Sequence, residues 1–284
     1  MGRRHADSRC GLWLPILALL LANAASPATS AGAAPLGPER GRAVDLLLVL
    51  AVDVSESIDR REARLQRLGH AEALIDPQVI AAIDSGRHGR VAIANLEWAG
   101  PKEQRQVIGW TLVEDRKSAR TLNKALLSEP ISIGYWTSIS SALETASRMI
   151  ADAPFTAARH VIDLSSDGRN NAGEPLGTAR KRVLDRGITI NGLPVLAMRR
   201  NFTWPPMPYL DRYFTDCVIG GPGAFSELVE RYDDFARAVR RKLIREIAGT
   251  RPPAGRVIRV AGAAAKPKIR CVEDDDDKPG GDKL

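Results

Sequence analysis

Hydrophobic positions change period several times along this chain, and each change marks an element. Leu46 to Val52 is an unbroken apolar run closed by Asp53. Such a run suits a strand buried on both faces, as in a parallel sheet. Asp59 and Glu62 then match a helix-starting capping pair. Leu65, Leu68, Ala71 and Ile75 continue at helical spacing. Val91 to Leu96 predicts a second strand, and Gln104 to Leu112 a third, close enough to pair as a hairpin. Ala119 to Leu127 and Ser138 to Ile150 read as helices. His160 to Leu164 reads as a strand, Pro175 to Arg186 as a helix and Ile188 to Val195 as a strand. Cys217 to Ile219 predicts a short last strand. Phe225, Leu228, Val229, Tyr232, Phe235, Val239, Leu243 and Ile247 form a helical stripe, which predicts one long closing helix.

Strands and helices alternate from Val44 to Ile247. That alternation predicts an α/β fold: an open, mostly parallel twisted sheet with helices on both faces and one antiparallel edge strand. No internal repeat interrupts it.

The two ends have a different character. Arg3, Arg4 and Arg9 precede the apolar run Leu12 to Ala22, and Ala22-Asn23-Ala24 is a small-x-small cleavage pattern. Residues 1–24 therefore read as a secretory signal peptide. The run is short for a transmembrane helix. The expectation is an exported chain, periplasmic or secreted, with no transmembrane span once mature. Residues 25–42, rich in Ala, Pro, Gly and Ser, read as a linker. Residues 43–248 form the predicted domain. Residues 249–284 carry Pro, Gly, Ala and charge without an apolar period, and read as a disordered tail. The run Asp274 to Lys278 in that tail suggests no function.

Composition narrows the class. The 284 residues are 44% hydrophobic and 26% charged, which excludes a mostly disordered chain and a multi-span membrane protein. The formal charge of +7 falls once the leader's three arginines and Asp7 are removed. What is left is too modest to argue for nucleic acid. Three Cys exclude a Cys₄ zinc site. Cys217 and Cys271 remain after cleavage, either as one disulfide or as two thiols.

Candidate chemistry collects at predicted strand ends, where open α/β sheets bind ligands. Asp53-Val54-Ser55-Glu56-Ser57 follows the first strand. Gly134-Tyr135-Trp136-Thr137 precedes a helix, and Ser165-Ser166-Asp167-Gly168 follows the fourth strand. Two carboxylates with three hydroxyls suit a hard divalent cation. Asp53 and Asp167 would bind directly or through water, and Ser55, Ser57 and Thr137 would offer neutral oxygens.

Those three motifs, in that order, resemble the von Willebrand factor A domain with its metal-ion-dependent adhesion site. The matching positions are Asp53, Ser55, Ser57, Thr137 and Asp167. The strings Val161 to Ser165, Asn191-Gly192-Leu193 and Val218 to Phe225 resemble, more narrowly, exported bacterial A-domain-like proteins of unassigned function. The resemblance implies the α/β fold, a Mg²⁺ site with Mn²⁺ or Ca²⁺ as alternatives, and a protein partner that offers an acidic side chain to the metal. Tyr135 and Trp136 stand where a small residue often precedes the site Thr, and Ser166 stands where Thr is usual. Tyr135, Trp136 and Trp204 are the candidate rim for partner contact.

Each residue also has a plainer structural reading. Asp53, Ser55 and Thr137 could cap helices. Asp167-Gly168 could be a simple turn, and Tyr135 and Trp136 could pack a loop. Trp98 reads as core beside a solvated Glu97. Gly220-Gly221-Pro222-Gly223 reads as a tight turn. Arg237, Arg240, Arg241, Lys242 and Arg245 read as a solvated helix face.

Binding is preferred to catalysis, because a nucleophile needs a base in reach. His160 begins a strand at the end away from the site, and no G-x-S-x-G elbow is present. Two alternatives stay open. One is a metal-free assembly protein that uses the Arg-rich helix or the Trp204 loop. The other, less favoured, is a metal-assisted hydrolase.

Overall fold

The computed structural model describes residues 41–196 and 207–249 together with Ile269 and Cys271. They lie within one compact unit, Pro38–Leu284. The predicted leader, most of the linker, Trp204 and most of the tail lie outside the described residues.

The first apolar run forms the middle of the sheet. After a short strand β1 (Arg42–Val44), strand β2 (Leu47–Asp53) is buried at all seven positions. β3 (Val91–Trp98) and β4 (Gln104–Val113) follow as an antiparallel hairpin, and β5 (Phe155–Ala157) is a short strand paired with β1. β6 (His160–Ser166) and β7 (Thr189–Pro194) complete a five-stranded sheet of order β4-β3-β2-β6-β7. β3, β2, β6 and β7 run parallel, and β4 is the one antiparallel edge. The chain steps from β2 outward to β3, then returns across to β6. The carboxyl end of β2 is thus the switch point where open sheets leave a crevice.

Side chains alternate across a strand, so β2 serves two cores. Leu47, Val49 and Ala51 pack with Ile139 and Leu143 of helix α4 (Ile139–Ala151) and Val183 of α5 (Leu176–Asp185). Leu46, Leu48 and Leu50 pack on the other side with α1 (Arg60–Leu74), α2 (Pro77–Asp84), α3 (Arg116–Ser128) and α7 (Phe235–Ala248). Each fully buried Leu or Ile contributes about 1.5–3 kcal/mol relative to exposure. The capping pair is present: Asp59 accepts from the backbone of Arg61 and Glu62, while Glu62 reaches back to the amide of Asp59.

Three expectations need correction. Cys217 to Ile219 is not a strand. After helix α6 (Leu210–Tyr213) the chain continues as a π-helical turn, Phe214–Val218. Leu210, Tyr213, Phe214, Cys217 and Val218 are all buried, and their spacing is helical. Cys217 closes a disulfide with Cys271. The long closing helix also begins later than its stripe suggests, at Phe235. Phe225 and Val229 are buried, but from an irregular segment beside β7, bridged at Gly192–Ser226 and Val195–Val229. The Gly220–Gly223 turn, with Gly221 and Gly223 at positive φ, sets that course.

The third correction concerns Lys242 on the basic face of α7, where Arg237 and Arg241 are exposed as expected. Arg237 pairs with Asp234, Arg240 with Asp76 and Arg241 with Glu227, and Lys242 is fully buried. Among the described residues Arg245 has no carboxylate partner, and its guanidinium lies 3.7 Å over the Phe225 ring.

Candidate metal centre

The crevice at the carboxyl end of β2 is built by hydrogen bonds among three loops. Asp53, the last residue of β2, is fully buried. Its Oδ1 accepts from the Ser55 amide at 2.8 Å, which turns the chain out of the sheet. Its Oδ2 accepts from the Ser166 hydroxyl at the end of β6. Ser57 donates to Asp167 Oδ1 at 2.7 Å, and its Oγ lies 3.1 Å from that of Ser55. Asp53, Ser55, Ser57 and Asp167 thus stand together, although they come from two loops.

Thr137 arrives on a third loop. A bridge between Ser55 and Gly134 lays this loop alongside the first, and the Gly134 amide donates to Val54 O at 2.9 Å. Only glycine permits that approach, because a Cβ at Gly134 would lie 2.6 Å from the Ala99 methyl. The Thr137 amide donates to Asn171 Oδ1 at 2.7 Å, and the Asn171 amide returns a bond to Thr137 O at 2.8 Å. Thr137 is buried, and its Oγ1 lies 3.7 Å from where a Cβ on Gly168 would stand. The helix cap of α4 is Ser138 and not Thr137. The Thr137 hydroxyl makes no hydrogen bond among the described residues, so it is left for another use.

Electrostatics point the same way. Burial, followed by the nearby charge of Asp167, pushes Asp53 up to about 7, against the pull of hydrogen bonds from Ser166 and Ser55. Two carboxyls crowded in a buried crevice favour a cation between them. Among the described residues no three His, Cys, Asp or Glu side chains form a metal cluster. The donors offered are instead two carboxylates and hydroxyls, which fit a hard, oxygen-seeking divalent cation.

Tyr135 and Trp136 stand at the rim, 63% and 54% exposed. The Tyr135 amide donates to Glu103 Oε2 at 2.8 Å. Trp136 has a φ of 66°, a left-handed conformation that costs a bulky residue about 1–3 kcal/mol. Such strain persists only where surrounding structure imposes it.

Sequence reasoning missed how the loop that carries Trp136 is anchored at its start. Glu97 is not solvated but buried, with Arg67 of α1 on one oxygen and Arg105 of β4 at 2.7 Å on the other. Both arginines also donate to backbone carbonyls entering the third loop. Arg67 reaches Glu129 O, and Arg105 reaches Pro130 O at 2.8 Å. The local sequence gives no sign of this, because the partners come from four separate elements. Asn170 and Asn171 were also passed over, although consecutive Asn after Asp-Gly is a turn signal. Asn170 Oδ1 accepts from the Ser140 amide at 2.9 Å, which ties the Asp167 loop to α4.

A family model described as "Protein of unknown function (DUF1194)" matches residues 43–251. No curated protein matches the chain significantly. Among solved structures, proximal thread matrix protein 1 from the mussel byssus aligns with a TM-score of 0.53 at 13% identity, over 73% of this chain and 49% of that one. Another form of that protein, described as having a zinc-occupied MIDAS motif, aligns at a TM-score of 0.48 and 15% identity, over 72% and 47%. The pilus adhesin SpaC from Lactobacillus rhamnosus GG aligns at 0.52 and 15% identity, over 74% of this chain and 31% of the adhesin. A von Willebrand factor type A structure from Catenulispora acidiphila aligns at 0.49 and 16% identity, over 72% and 43%. The chain therefore spans half or less of each of these proteins. At such identities the likeness concerns the fold alone.

Proposed function

The chain belongs to the DUF1194 family of proteins of unknown function, and from that premise we propose that it is an exported, metal-dependent protein-binding module. Asp53, Ser55, Ser57, Thr137 and Asp167 would hold the ion. Mg²⁺ is the first choice, and Mn²⁺ and Ca²⁺ accept the same oxygen donors. The bound ion would supply a Lewis-acidic point for a carboxylate oxygen from a partner protein. Tyr135 and Trp136, exposed beside that point, would set which carboxylate is accepted.

The observation that carries this reading is the convergence of Asp53, Ser55, Ser57 and Asp167 through short hydrogen bonds, with the free hydroxyl of Thr137 on the adjoining loop. None of the five proposed ligands is a His, Cys or Lys able to serve as base or amine nucleophile. His160 opens β6 at the amino ends of the strands, away from the crevice, and His70 is buried against Phe235. Binding is therefore preferred to turnover.

The test is calorimetric titration of the full chain with Mg²⁺ and Mn²⁺, beside an Asp53→Ala variant shown to be folded by circular dichroism. Saturable binding in the wild type and none in the variant is the expected result. Equal heats from both proteins, or none from the wild type at millimolar metal, would overturn the reading.

A further inference from the structure

The inner face of α7 carries charge that the metal centre does not use. Lys242 is fully buried in the middle of that helix, 5.4 Å from the Phe225 ring. Its Nζ stands 2.7 Å from Asp163 Oδ1 on β6. It also contacts Glu246 Oε1, one turn further along α7. The same Glu246 oxygen accepts from Asn191 Nδ2 on β7 at 2.8 Å. Lys242, Asp163, Glu246 and Asn191 are all buried.

As an ion pair this group is poorly satisfied. It holds two carboxyls and one amine. Neither oxygen of Asp163 has a hydrogen-bond partner among the described residues, and neither has Glu246 Oε2. The 2.7 Å approach of Nζ to Asp163 thus has the distance of a hydrogen bond without its alignment. Buried charges are tolerated when excellent geometry and further hydrogen bonds compensate their lost hydration. Here that compensation is incomplete. An amine held 2.7 Å from a carboxyl oxygen, away from water, is placed for intramolecular acylation. Well-oriented pairs of this kind reach effective molarities of about 10⁵–10⁸ M.

We infer that Lys242 and Asp163 condense into an amide crosslink that ties α7 to β6, with Glu246 carrying the protons. A proton first passes from the Lys242 ammonium to Asp163. The Nζ lone pair then attacks Asp163 Cγ, forming the C–N bond. Glu246 donates a proton to one Asp163 oxygen, the C–O bond breaks, and water leaves. The nitrogen returns its surplus proton to Glu246. The products are one amide and one water, with Glu246 unchanged and no oxidant or reductant needed. Burial and the Asp163 charge push Glu246 up to about 8, so its carboxyl is protonated at neutral pH and able to donate. A cavity of about 520 Å³ lined by Asn191, Phe225, Arg245 and Glu246 gives the released water a way out. After the reaction no net charge is left in the group.

The test uses the full chain, reduced to open its disulfide and denatured, then examined by intact mass and by peptide mapping. The expected result is a deficit of one water and a branched peptide joining Lys242 to Asp163. A Glu246→Gln variant, shown to be folded by circular dichroism, should keep full mass and give two linear peptides. A wild type with full mass and linear peptides overturns the proposal. A deficit of ammonia with Lys242 joined to Asn191 overturns Asp163 as the acceptor. A crosslink that survives in Glu246→Gln overturns the proton-carrying role.

Discussion

Replacing Glu97 by Ala should show how the third loop is held. The Glu97 carboxylate is buried, and Arg67 beneath it has only 5% of its side chain exposed. Removing the acid leaves the Arg67 guanidinium buried without a counter-charge. Breaking a buried pair from one side costs about 3–5 kcal/mol. Arg67 keeps its bonds to Glu129 O and Pro130 O, which puts the cost near the lower end. Arg105 is 34% exposed and can turn to water, so its lost pairing adds little. A loss of about 3 kcal/mol, at a urea m-value of about 2–3 kcal/mol/M, lowers the unfolding midpoint by about 1–1.5 M. The informative comparison is the double variant Arg67→Met with Glu97→Leu. It removes both charges and retains volume, and should cost less than Glu97→Ala alone. Urea unfolding followed by tryptophan fluorescence measures all three proteins. A Glu97→Ala midpoint within about 0.3 M of wild type, equivalent to less than about 1 kcal/mol, would refute the argument. So would a double variant as unstable as Glu97→Ala.

Gly134→Ala should cost about 1–3 kcal/mol, because the new Cβ would overlap the Ala99 methyl, and it should weaken metal binding by displacing the Thr137 loop; urea unfolding and metal titration check the two effects. Trp136→Gly should leave stability within about 1 kcal/mol, since relief of the positive φ offsets the greater freedom of glycine when unfolded, while capture of a partner, once one is found, weakens. Reducing the Cys217–Cys271 bond, which spans 54 residues, should lower Tm by an amount equivalent to about 2–4 kcal/mol, read by calorimetry with and without reductant. Stability should also fall between pH 6.5 and 8. Glu246 is raised from 4.5 to about 8, so the folded state binds more protons than the unfolded chain across that range, and stability is lost as pH rises through it. Buried His70, lowered from 6.5 chiefly by burial, acts in the opposite sense, because its stability is lost as pH falls below 6.5. Asp53, raised from 3.8 to about 7, acts in the same sense as Glu246, so the two together remove about 2–3 kcal/mol above pH 6.5. Urea midpoints against pH should show that fall in the wild type, and in Glu246→Gln only the smaller part below pH 7 that Asp53 contributes.

What the sequence reveals here depends on how far a residue's partners lie along the chain. β2 is legible because seven consecutive apolar residues have few other uses, and α1 because Asp59 and Glu62 cap each other within one turn. The Asp53, Ser55 and Ser57 loop is legible for the same reason, since its spacing is local. The errors arise where period was taken for backbone shape. Phe225 and Val229 are buried as their spacing suggests, yet they reach the core from a segment laid beside β7, because periodicity reports burial and leaves the backbone open. Phe214, Cys217 and Val218 fall at helical spacing, which a three-residue apolar run concealed. The deepest loss of information concerns charge. Lys242 and Glu246 stand four residues apart on a helix, a spacing shared with solvated surface pairs worth a few tenths of a kcal/mol. What makes this pair different is Asp163 on β6 and Asn191 on β7, brought against it only by the fold. Glu97 is the same case: its two arginines come from α1 and β4, and nothing near it in the chain distinguishes it from a solvated strand end. A buried charge is defined by partners distant in sequence. The residues that hold the Thr137 loop and the interior of α7 are therefore the ones that a local reading assigns to water.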